Sequence, residues 1–302
     1  MSDIPIFRNS HCLCCGGRSF SASLAILSAF LSSRAFRLPP TITTLYECLD
    51  CGFRWSKRGL SDDEVSSLYV GYRDELYFIQ RSSFEPWYSR EINDGIGSEL
   101  AMPKRRKTLM DLLRKCDINL DGLKKIADHG GDRGQMLLSF TAQVKKVYDI
   151  SGASLDPGIE RIENIQSELN NFDLVLSCHV LEHLNDPKEG LLEALSLVKG
   201  NGLIYLELPN EIWTGPYQPP FQRKLLTWLA SKPRLLMCSD FICTAFRVKL
   251  KFIPPLGFLV IREHLQYFTI ESIKKLMTSN NLEVLAVERS GDFLIALGRK
   301  FN

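Results

Sequence analysis

The chain has 302 residues, of which 45% are hydrophobic and 24% are charged, and its formal net charge is +2. This length suits two domains or one elaborated domain, and the composition is that of a globular protein. The nearly balanced charge gives no global field to attract nucleic acid, so a nucleic-acid partner is not expected. The first 15 residues contain no apolar signal segment, which predicts a reducing, cytoplasmic location.

The only long apolar stretch near the N-terminus runs from Ala22 to Leu31. It falls short of the roughly 20 residues that a membrane-spanning helix needs. Serines interrupt it, and it is predicted to form a buried or amphipathic helix. No transmembrane segment is therefore expected in this part of the chain.

Two matching Cys-x-x-Cys-Gly motifs lie within residues 1–60, a predicted zinc-binding knuckle domain. Each motif aims two thiolates at one point, and its glycine permits the tight turn after the second sulfur. Four thiolates suit a closed tetrahedral Zn²⁺ site, which is structural because it leaves no open coordination position. The predicted metal ligands are Cys12, Cys15, Cys48 and Cys51.

Residues 61–115 are predicted to form a helical linker or cap. Ser61 and Glu64 have the spacing of a capping box, which marks the start of a helix. Met102 to Cys116 has the pattern of a basic amphipathic helix that leads into the next domain.

Residues 116–302 alternate between apolar strand patterns and helical patterns, which is typical of an α/β fold with a Rossmann-like parallel sheet. A closing hairpin is predicted at Ser290-Gly291, after a helix over residues 269–280. Residues 211–262 break the alternation and are predicted to be a helical, basic insertion over the active site. The predicted strands are 123–127, 144–148, 173–177, 203–208, 282–288 and 292–298.

A glycine-rich turn follows the first of these strands and precedes a predicted helix that begins at Gln135. Glycines let the backbone approach a ligand closely, and the N–H groups of a helix start point at it. Asp149 ends the second strand, where a carboxylate can accept hydrogen bonds from both ribose hydroxyls. These two features suit NAD and S-adenosylmethionine (SAM) equally.

A third motif separates the two cofactors. Phe172-Asp173-Leu-Val is followed by Val180-Leu-Glu-His183 and by Asp186-Pro187. Together with the glycine turn and Asp149, in this order, it resembles the motifs of class I SAM-dependent methyltransferases. The resemblance implies a seven-stranded Rossmann-like sheet and SAM as the cofactor. It implies cofactor contacts by Asp128, Gly130, Gly131, Gly134, Asp149, Ser177 and His179, with the adenine near Glu163 to Ile165.

The segment from Arg262 to Thr269 is similar to a segment of one bacterial methyltransferase subfamily that also carries the Cys-x-x-Cys-Gly pairs. That subfamily includes nucleotide-sugar C-methyltransferases. The resemblance implies a small-molecule or carbohydrate acceptor, such as a nucleotide-linked or polymer sugar, methylated on oxygen or carbon. Two positions depart from the family pattern: Asp132 replaces a glycine of the loop, and Ile261 replaces a tyrosine.

Glu263 and His264 are the predicted catalytic pair. Histidine titrates near neutral pH, so His264 is predicted to act as the general base, with Glu263 assisting. The alternative is that both residues only brace the helix beginning at Thr269. The basic residues of 213–262 suit the diphosphate of a nucleotide-sugar, an anionic membrane surface, or plain solvation.

Two other functions remain open from the sequence. The first is an RNA base methyltransferase with a zinc knuckle, against which stand the balanced charge and the lack of an Asn-Pro-Pro-Tyr-type motif. The second is a SAM-binding partner subunit with a degenerate acceptor site, which Asp132 and Ile261 favour. The oligomeric state is left open.

Overall fold

The computed structural model describes residues 11–95, 98, 102–211, 218–250 and 257–301. The chain folds into two compact units, one containing residues 17–94 and 211–267 and the other containing residues 95–210 and 268–302. These boundaries differ from the predicted division of the chain at residues 60 and 115. The predicted division stays a prediction. Parts of the predicted domains, including residues 1–10 and Lys251 of the basic insertion, lie outside the described residues.

The secondary structure of the described residues comprises two sheets and their covering helices. The strands are β1 (Phe20–Leu27), β2 (Thr41–Cys48), β3 (Arg54–Ser56), β4 (Lys125–His129), β5 (Val144–Tyr148), β6 (Glu160–Arg161), β7 (Phe172–Cys178), β8 (Val198–Pro209), β9 (Val260–Ile261), β10 (Gln266–Tyr267), β11 (Leu282–Ser290) and β12 (Phe293–Lys300). The α-helices are α1 (Ala29–Leu31), α2 (Asp62–Tyr69), α3 (Glu75–Phe84), α4 (Arg90–Gly95), α5 (Met102–Lys115), α6 (Pro187–Leu197), α7 (Pro220–Ala230), α8 (Pro233–Leu250) and α9 (Ile270–Thr278). None of the helices in the described ranges is long and apolar enough to cross a bilayer.

The first unit is built on a five-stranded sheet with the order β10-β3-β2-β1-β9. The prediction of a helix over Ala22 to Leu31 was wrong, because most of this stretch is strand β1. β1 pairs antiparallel with β2 from Phe20 to Leu27, and its last two residues, Ile26 and Leu27, also pair in parallel with β9. Only after Ser28, whose side chain caps α1, does the chain turn helical.

The helices of the first unit bury apolar faces against this sheet. Leu226 and Leu229 of α7 and Leu236 of α8 form a buried cluster with Ile26 and Val260 of strands β1 and β9. The helix predicted to begin at Ser61 is confirmed as α2, and both hydrogen bonds of its capping box are formed. Residues of the predicted insertion therefore build the core of this unit.

The second unit contains the predicted seven-stranded sheet, with the order β11-β12-β8-β7-β4-β5-β6. β12 runs antiparallel to both β8 and β11, whereas the pairs from β8 through β7, β4 and β5 to β6 are parallel. This order confirms the α/β, Rossmann-like prediction. The predicted closing hairpin is also confirmed, with Ser290 opposite Phe293.

Two predicted helices of the second unit can be compared with the structure. The basic amphipathic helix is confirmed as α5, which buries Leu109, Leu112 and Leu113 against the sheet. The helix expected after Gly134 is shorter than predicted, because Gln135–Ser139 forms only a 3₁₀ turn before β5 begins. The connection from β4 to β5 therefore keeps the glycine turn but little of the usual crossover helix.

Candidate active site

Three predicted cofactor residues lie at one edge of the seven-stranded sheet. β4 pairs in parallel with β5 on one side and with β7 on the other. Asp128 lies at the carboxyl end of β4, Asp149 directly follows β5, and Ser177 lies at the carboxyl end of β7. Ligands of open α/β sheets bind at this edge, beyond the carboxyl ends of the strands.

The glycines of the loop after β4 are required by the local backbone. Gly130 and Gly134 have φ of +73° and +85°, in the left-handed region that favours glycine. A Cβ at Gly130 would lie 2.3 Å from Val180 Cγ2, and a Cβ at Gly134 would lie 2.5 Å from Ile159 Cδ1. The loop therefore passes close to its neighbours at these two positions because glycine has no side chain.

Asp132, the residue that replaces a glycine of the family loop, has a left-handed backbone conformation. Its φ is +51°, which aspartate adopts more readily than most residues with a side chain. Its backbone N–H donates to Oδ2 of Asp149 at 2.8 Å, and Oδ1 of Asp149 accepts from the N–H of Ser151 at 2.7 Å. Asp132 thus connects the loop after β4 to the acid that follows β5.

Asp128 and Ser177 carry buried polar atoms that no other described residue satisfies. Asp128 is only 1% exposed, and its Oδ1 and the Oγ of Ser177 have no hydrogen-bond partner among the described residues. Burial raises the pKa of Asp128 to about 8, although the charge of Arg105 acts in the opposite direction. Buried polar atoms are normally paired, so these two fit a site that takes polar groups of a ligand. A Cβ at Gly131 would lie 2.5 Å from the carboxyl carbon of Asp128, so this glycine leaves room for that carboxylate.

His179 follows β7 with φ of +58° and is held by two carboxylates. Its Nδ1 lies 3.1 Å from Oε1 of Glu182, and its Nε2 lies 3.2 Å from Oε1 of Glu207. Burial lowers the pKa of His179, but these two carboxylates outweigh it and raise the pKa to about 9. Glu207 also accepts from Arg105 Nε at 2.5 Å and from the Tyr205 hydroxyl at 3.1 Å. His179 is therefore an imidazolium within an ion-pair network, and its predicted cofactor contact stays a prediction.

Sequence reasoning missed Arg105 and Glu207. Glu207 is fully buried in β8, where its carboxylate interrupts the mainly apolar run from Leu203 to Leu208. A lone acid in such a strand was the available signal, because a buried charge requires a partner. Arg105 gave no comparable signal, since it lies among the other basic residues of α5.

Both predicted catalytic residues belong to the first unit. Oε1 of Glu263 accepts from the Tyr77 hydroxyl at 2.6 Å and from Arg81 at 2.7 Å. Arg81 in turn pairs with Glu85, which also pairs with Arg262. Glu263 is thus anchored in a buried network of charges and a tyrosine.

His264 has a carboxylate partner that the sequence did not reveal. Its Nδ1 lies 3.1 Å from Oε2 of Glu211, and Glu211 also pairs with Arg247. Burial acts to raise the pKa of Glu211, but the charges of His264 and Arg247 lower it to about 2. The pair is far apart in sequence, and no local pattern connects the two residues. The roles of Glu263 and His264 in catalysis stay predictions.

The four predicted metal ligands lie together. The sulfurs of Cys12, Cys15, Cys48 and Cys51 all lie within 4.8 Å of one another, and those of Cys12 and Cys51 are 3.6 Å apart. The glycine after each pair has positive φ, +72° at residue 16 and +71° at residue 52, as the two turns require. Four sulfur donors at this spacing fit the tetrahedral coordination of Zn²⁺.

The parallel sheet with acidic residues at the ends of adjacent strands defines a cofactor-binding protein of the Rossmann-like class. The family profile described as a methyltransferase domain matches residues 103–287, more than half of the chain. The chain belongs to this family, and it is a SAM-dependent methyltransferase.

Solved structures of methyltransferases resemble the chain at low sequence identity. An O-methyltransferase family protein from Burkholderia thailandensis is 14% identical, with 74% of this chain and 64% of that chain covered and a TM-score of 0.42. The 1,6-didemethyltoxoflavin-N1-methyltransferase of the same organism is 13% identical, with 84% and 98% covered and a TM-score of 0.48. The N-methyltransferase NodS from Bradyrhizobium japonicum WM9 is 13% identical, with 66% and 98% covered and a TM-score of 0.37. No curated protein matches the chain.

Proposed function

We propose that the protein transfers the methyl group of SAM to a small-molecule or carbohydrate acceptor, namely a nucleotide-linked or polymer sugar, on oxygen or carbon. The observation that carries this proposal is the pair of His264 and Glu211. A hydroxyl, or a carbon next to a ketone, must lose a proton when it takes the methyl group. A histidine oriented by a buried, ionised carboxylate is suited to remove that proton.

The predicted cofactor residues fit SAM, which supplies an electrophilic methyl group on a sulfonium. Asp149 would accept hydrogen bonds from the ribose hydroxyls, as acids at this position do in Rossmann-like folds. Asp128 Oδ1 and Ser177 Oγ, both buried without a described partner, would take polar groups of the methionine part. The glycines at 130, 131 and 134 would let the backbone approach the cofactor.

The proposed base is His264, and its partner decides which nitrogen reacts. Glu211 is ionised at neutral pH, so His264 donates from Nδ1–H to its carboxylate. In the neutral form of His264, which is the form that acts as a base, Nε2 would carry the lone pair and would take the proton from the acceptor. The negative charge of Glu211 stabilises the imidazolium that forms. Glu263 supports this arrangement by fixing the neighbouring backbone through Tyr77 and Arg81.

The group of four cysteines is proposed to hold one structural Zn²⁺. Its donor set is closed, so the metal would stabilise the fold around the two turns and take no part in methyl transfer. The finding that supports this is the convergence of the four sulfurs, together with the positive φ of both glycines.

Methylation assays with labelled SAM and a panel of nucleotide-sugars test the proposed acceptor and base. We expect His264→Ala to lower kcat by about 10² or more, the usual contribution of a general base, while the Kd for SAM is unchanged. Glu211→Gln should lower kcat less than His264→Ala does. It should also shift the acidic limb of the pH profile of kcat, because the amide cannot stabilise the imidazolium. The matched control is Glu283→Gln, an exposed change that should leave both constants as they are.

The same assays separate the competing functions. Full turnover by His264→Ala would overturn the assignment of the base. Methylated RNA as the product, with salt-sensitive RNA binding, would replace the carbohydrate acceptor with an RNA base. SAM binding without transfer to any acceptor in the panel or to RNA would support the partner-subunit reading.

A further inference from the structure

Helices α7 and α8 of the first unit present an unusual outer surface, which we call the α7–α8 hairpin (residues 220–250). On α7, Phe221, Leu225 and Trp228 follow one another at i, i+4 and i+7, so they share one helix face. Phe221 is 54% exposed and Trp228 is 52% exposed, although large aromatic side chains usually contribute to cores. The adjoining face of α7, with Leu226 and Leu229, is buried against the sheet of this unit.

The second helix continues this apolar surface. Its inner positions, including Leu236 and Cys243, are buried in the same cluster as Leu226. Its outer positions expose six large apolar side chains: Leu235, Met237, Phe241, Ile242, Phe246 and Leu250. Contiguous exposed apolar surface on a folded protein usually marks an interaction site.

The exposed charged residues of the same surface are all basic. Arg223, Lys224, Lys232 and Arg234 are exposed, and no carboxylate of the described residues lies within ion-pair distance of them. The single acid within residues 218–250 is Asp240, which is buried. Its carboxylate is occupied with hydrogen bonds inside the protein, from the Ala29 amide and the Thr244 hydroxyl. The hairpin therefore offers cations and apolar groups, but no exposed negative charge.

We infer that the α7–α8 hairpin binds the surface of an anionic lipid bilayer, with both helices lying in the plane of the interface. Helices that bind in this way combine Lys and Arg with exposed Trp, Phe and Leu, and they require anionic headgroups. The aromatic and aliphatic side chains enter the boundary between headgroups and acyl chains, while the four cations contact lipid phosphates. This inference does not depend on the proposed acceptor or on methyl transfer.

Two other occupants fit the surface less well. A second copy of the chain would bring like charges together, because the hairpin has no exposed carboxylate to meet the four cations of its partner. A nucleic acid would satisfy the cations but would leave the aliphatic side chains Leu235 and Ile242 against a polar backbone. A bilayer satisfies both sets of side chains at once.

Flotation of the full chain with lipid vesicles tests the inference. The probes are vesicles of phosphatidylcholine alone and vesicles with about one third phosphatidylglycerol, at several salt concentrations. We expect binding to the anionic vesicles that weakens as salt rises, and little binding to the neutral vesicles. Equal binding to both, or binding to neither, would overturn the inference.

Substitutions with matched controls locate the contact. Removal of two cations by Lys224→Gln and Lys232→Gln should weaken binding about fivefold per charge, the usual effect of a basic residue near an anionic surface. The control Lys274→Gln with Lys275→Gln removes the same charge from α9, where both side chains are exposed.

A second pair of variants tests the apolar contact. Phe221→Ser with Trp228→Ser should weaken binding at least tenfold, whereas Leu76→Ser with Ile79→Ser changes exposed apolar residues of α3 and should not. Circular dichroism and SAM binding show that each variant is folded. Equal loss in the hairpin and control variants would refute the location, and a dimer that only the hairpin variants abolish would assign the surface to a second copy.

Discussion

The carboxylate of Asp149 accepts a hydrogen bond from the backbone amide of Asp132, with 2.8 Å between N and Oδ2. This bond links the acid that follows β5 to the glycine-rich loop that follows β4. Asp132 itself has a left-handed φ of +51°. The residue that departs from the family sequence therefore positions the acid proposed to hold the ribose.

Replacement of that acid should weaken SAM binding. We expect Asp149→Ala to raise the Kd for SAM at least tenfold, because hydrogen bonds to a charged group contribute about 1.5–3 kcal/mol each. Asp149→Asn should have a smaller effect, since the amide still accepts one hydrogen bond. Isothermal titration calorimetry measures both constants. The control is Asp121→Ala, an exposed change on a 3₁₀ turn, and an unchanged Kd for Asp149→Ala would refute the assignment.

The backbone of Asp132 gives a prediction about stability. Asp132→Gly should fold with unchanged or higher stability, because glycine adopts positive φ without strain. Asp132→Ala should be less stable than Asp132→Gly by about 1 kcal/mol, the cost of a left-handed residue with a Cβ. Urea denaturation gives the two free energies of unfolding. If the alanine and glycine variants are equally stable, the left-handed conformation is not the reason for the residue.

The pKa of Asp128, about 8, makes SAM binding depend on pH. Below pH 8 the carboxyl group is mostly protonated in the ligand-free protein, and the cationic ligand favours its ionised form. The affinity for SAM should therefore rise with pH, by up to tenfold per unit below pH 8, and level off above it. Titrations between pH 6 and pH 9 check this, and Asp128→Asn should abolish that part of the pH dependence.

The pKa of the Asp128 carboxyl group also determines how the stability of the ligand-free protein changes with pH. The folded-state value lies above the unfolded value of 3.8, so the folded protein holds the proton more tightly. Its contribution to stability is fully present below pH 4 and is lost as the pH rises to 8. Asp128→Asn should therefore stabilise the ligand-free protein relative to the parent at pH 8 while it weakens SAM binding. A destabilised variant at pH 8 would contradict the burial of an ionisable acid.

Metal analysis tests the proposed zinc site. We expect about one zinc per chain by mass spectrometry, with Cys48→Ser losing the metal and lowering the Tm because metal binding is coupled to folding. Cys238→Ser is the matched control, since this exposed cysteine lies outside the group of four. Stable protein without zinc in both the parent and the Cys48 variant would exclude the proposal.

Local sequence patterns were sufficient for six of the seven strands in the sheet of the second unit and for the glycine positions of the cofactor loop, whereas the seventh strand, β6, was expected only from the family resemblance. The apolar strands, the capping box at Ser61 and the Ser290-Gly291 hairpin each depend on neighbouring residues, whose spacing is visible in the chain. The glycines at 130 and 134 are visible for the same reason, because a backbone with positive φ restricts the residue type at its own position.

Features that depend on residues distant in the sequence could be known only from the tertiary structure. Ala22 to Leu27 became a strand because β2 pairs with it along its whole length and β9 pairs with its last two residues, and local apolarity does not distinguish a strand from a buried helix. His264 was visible as a candidate base, but its carboxylate, Glu211, was not, since the two residues are 53 positions apart and meet only in the folded unit. The chain sequence thus determined which groups are available, and the fold determined which charges are buried together and hence which ones are ionised.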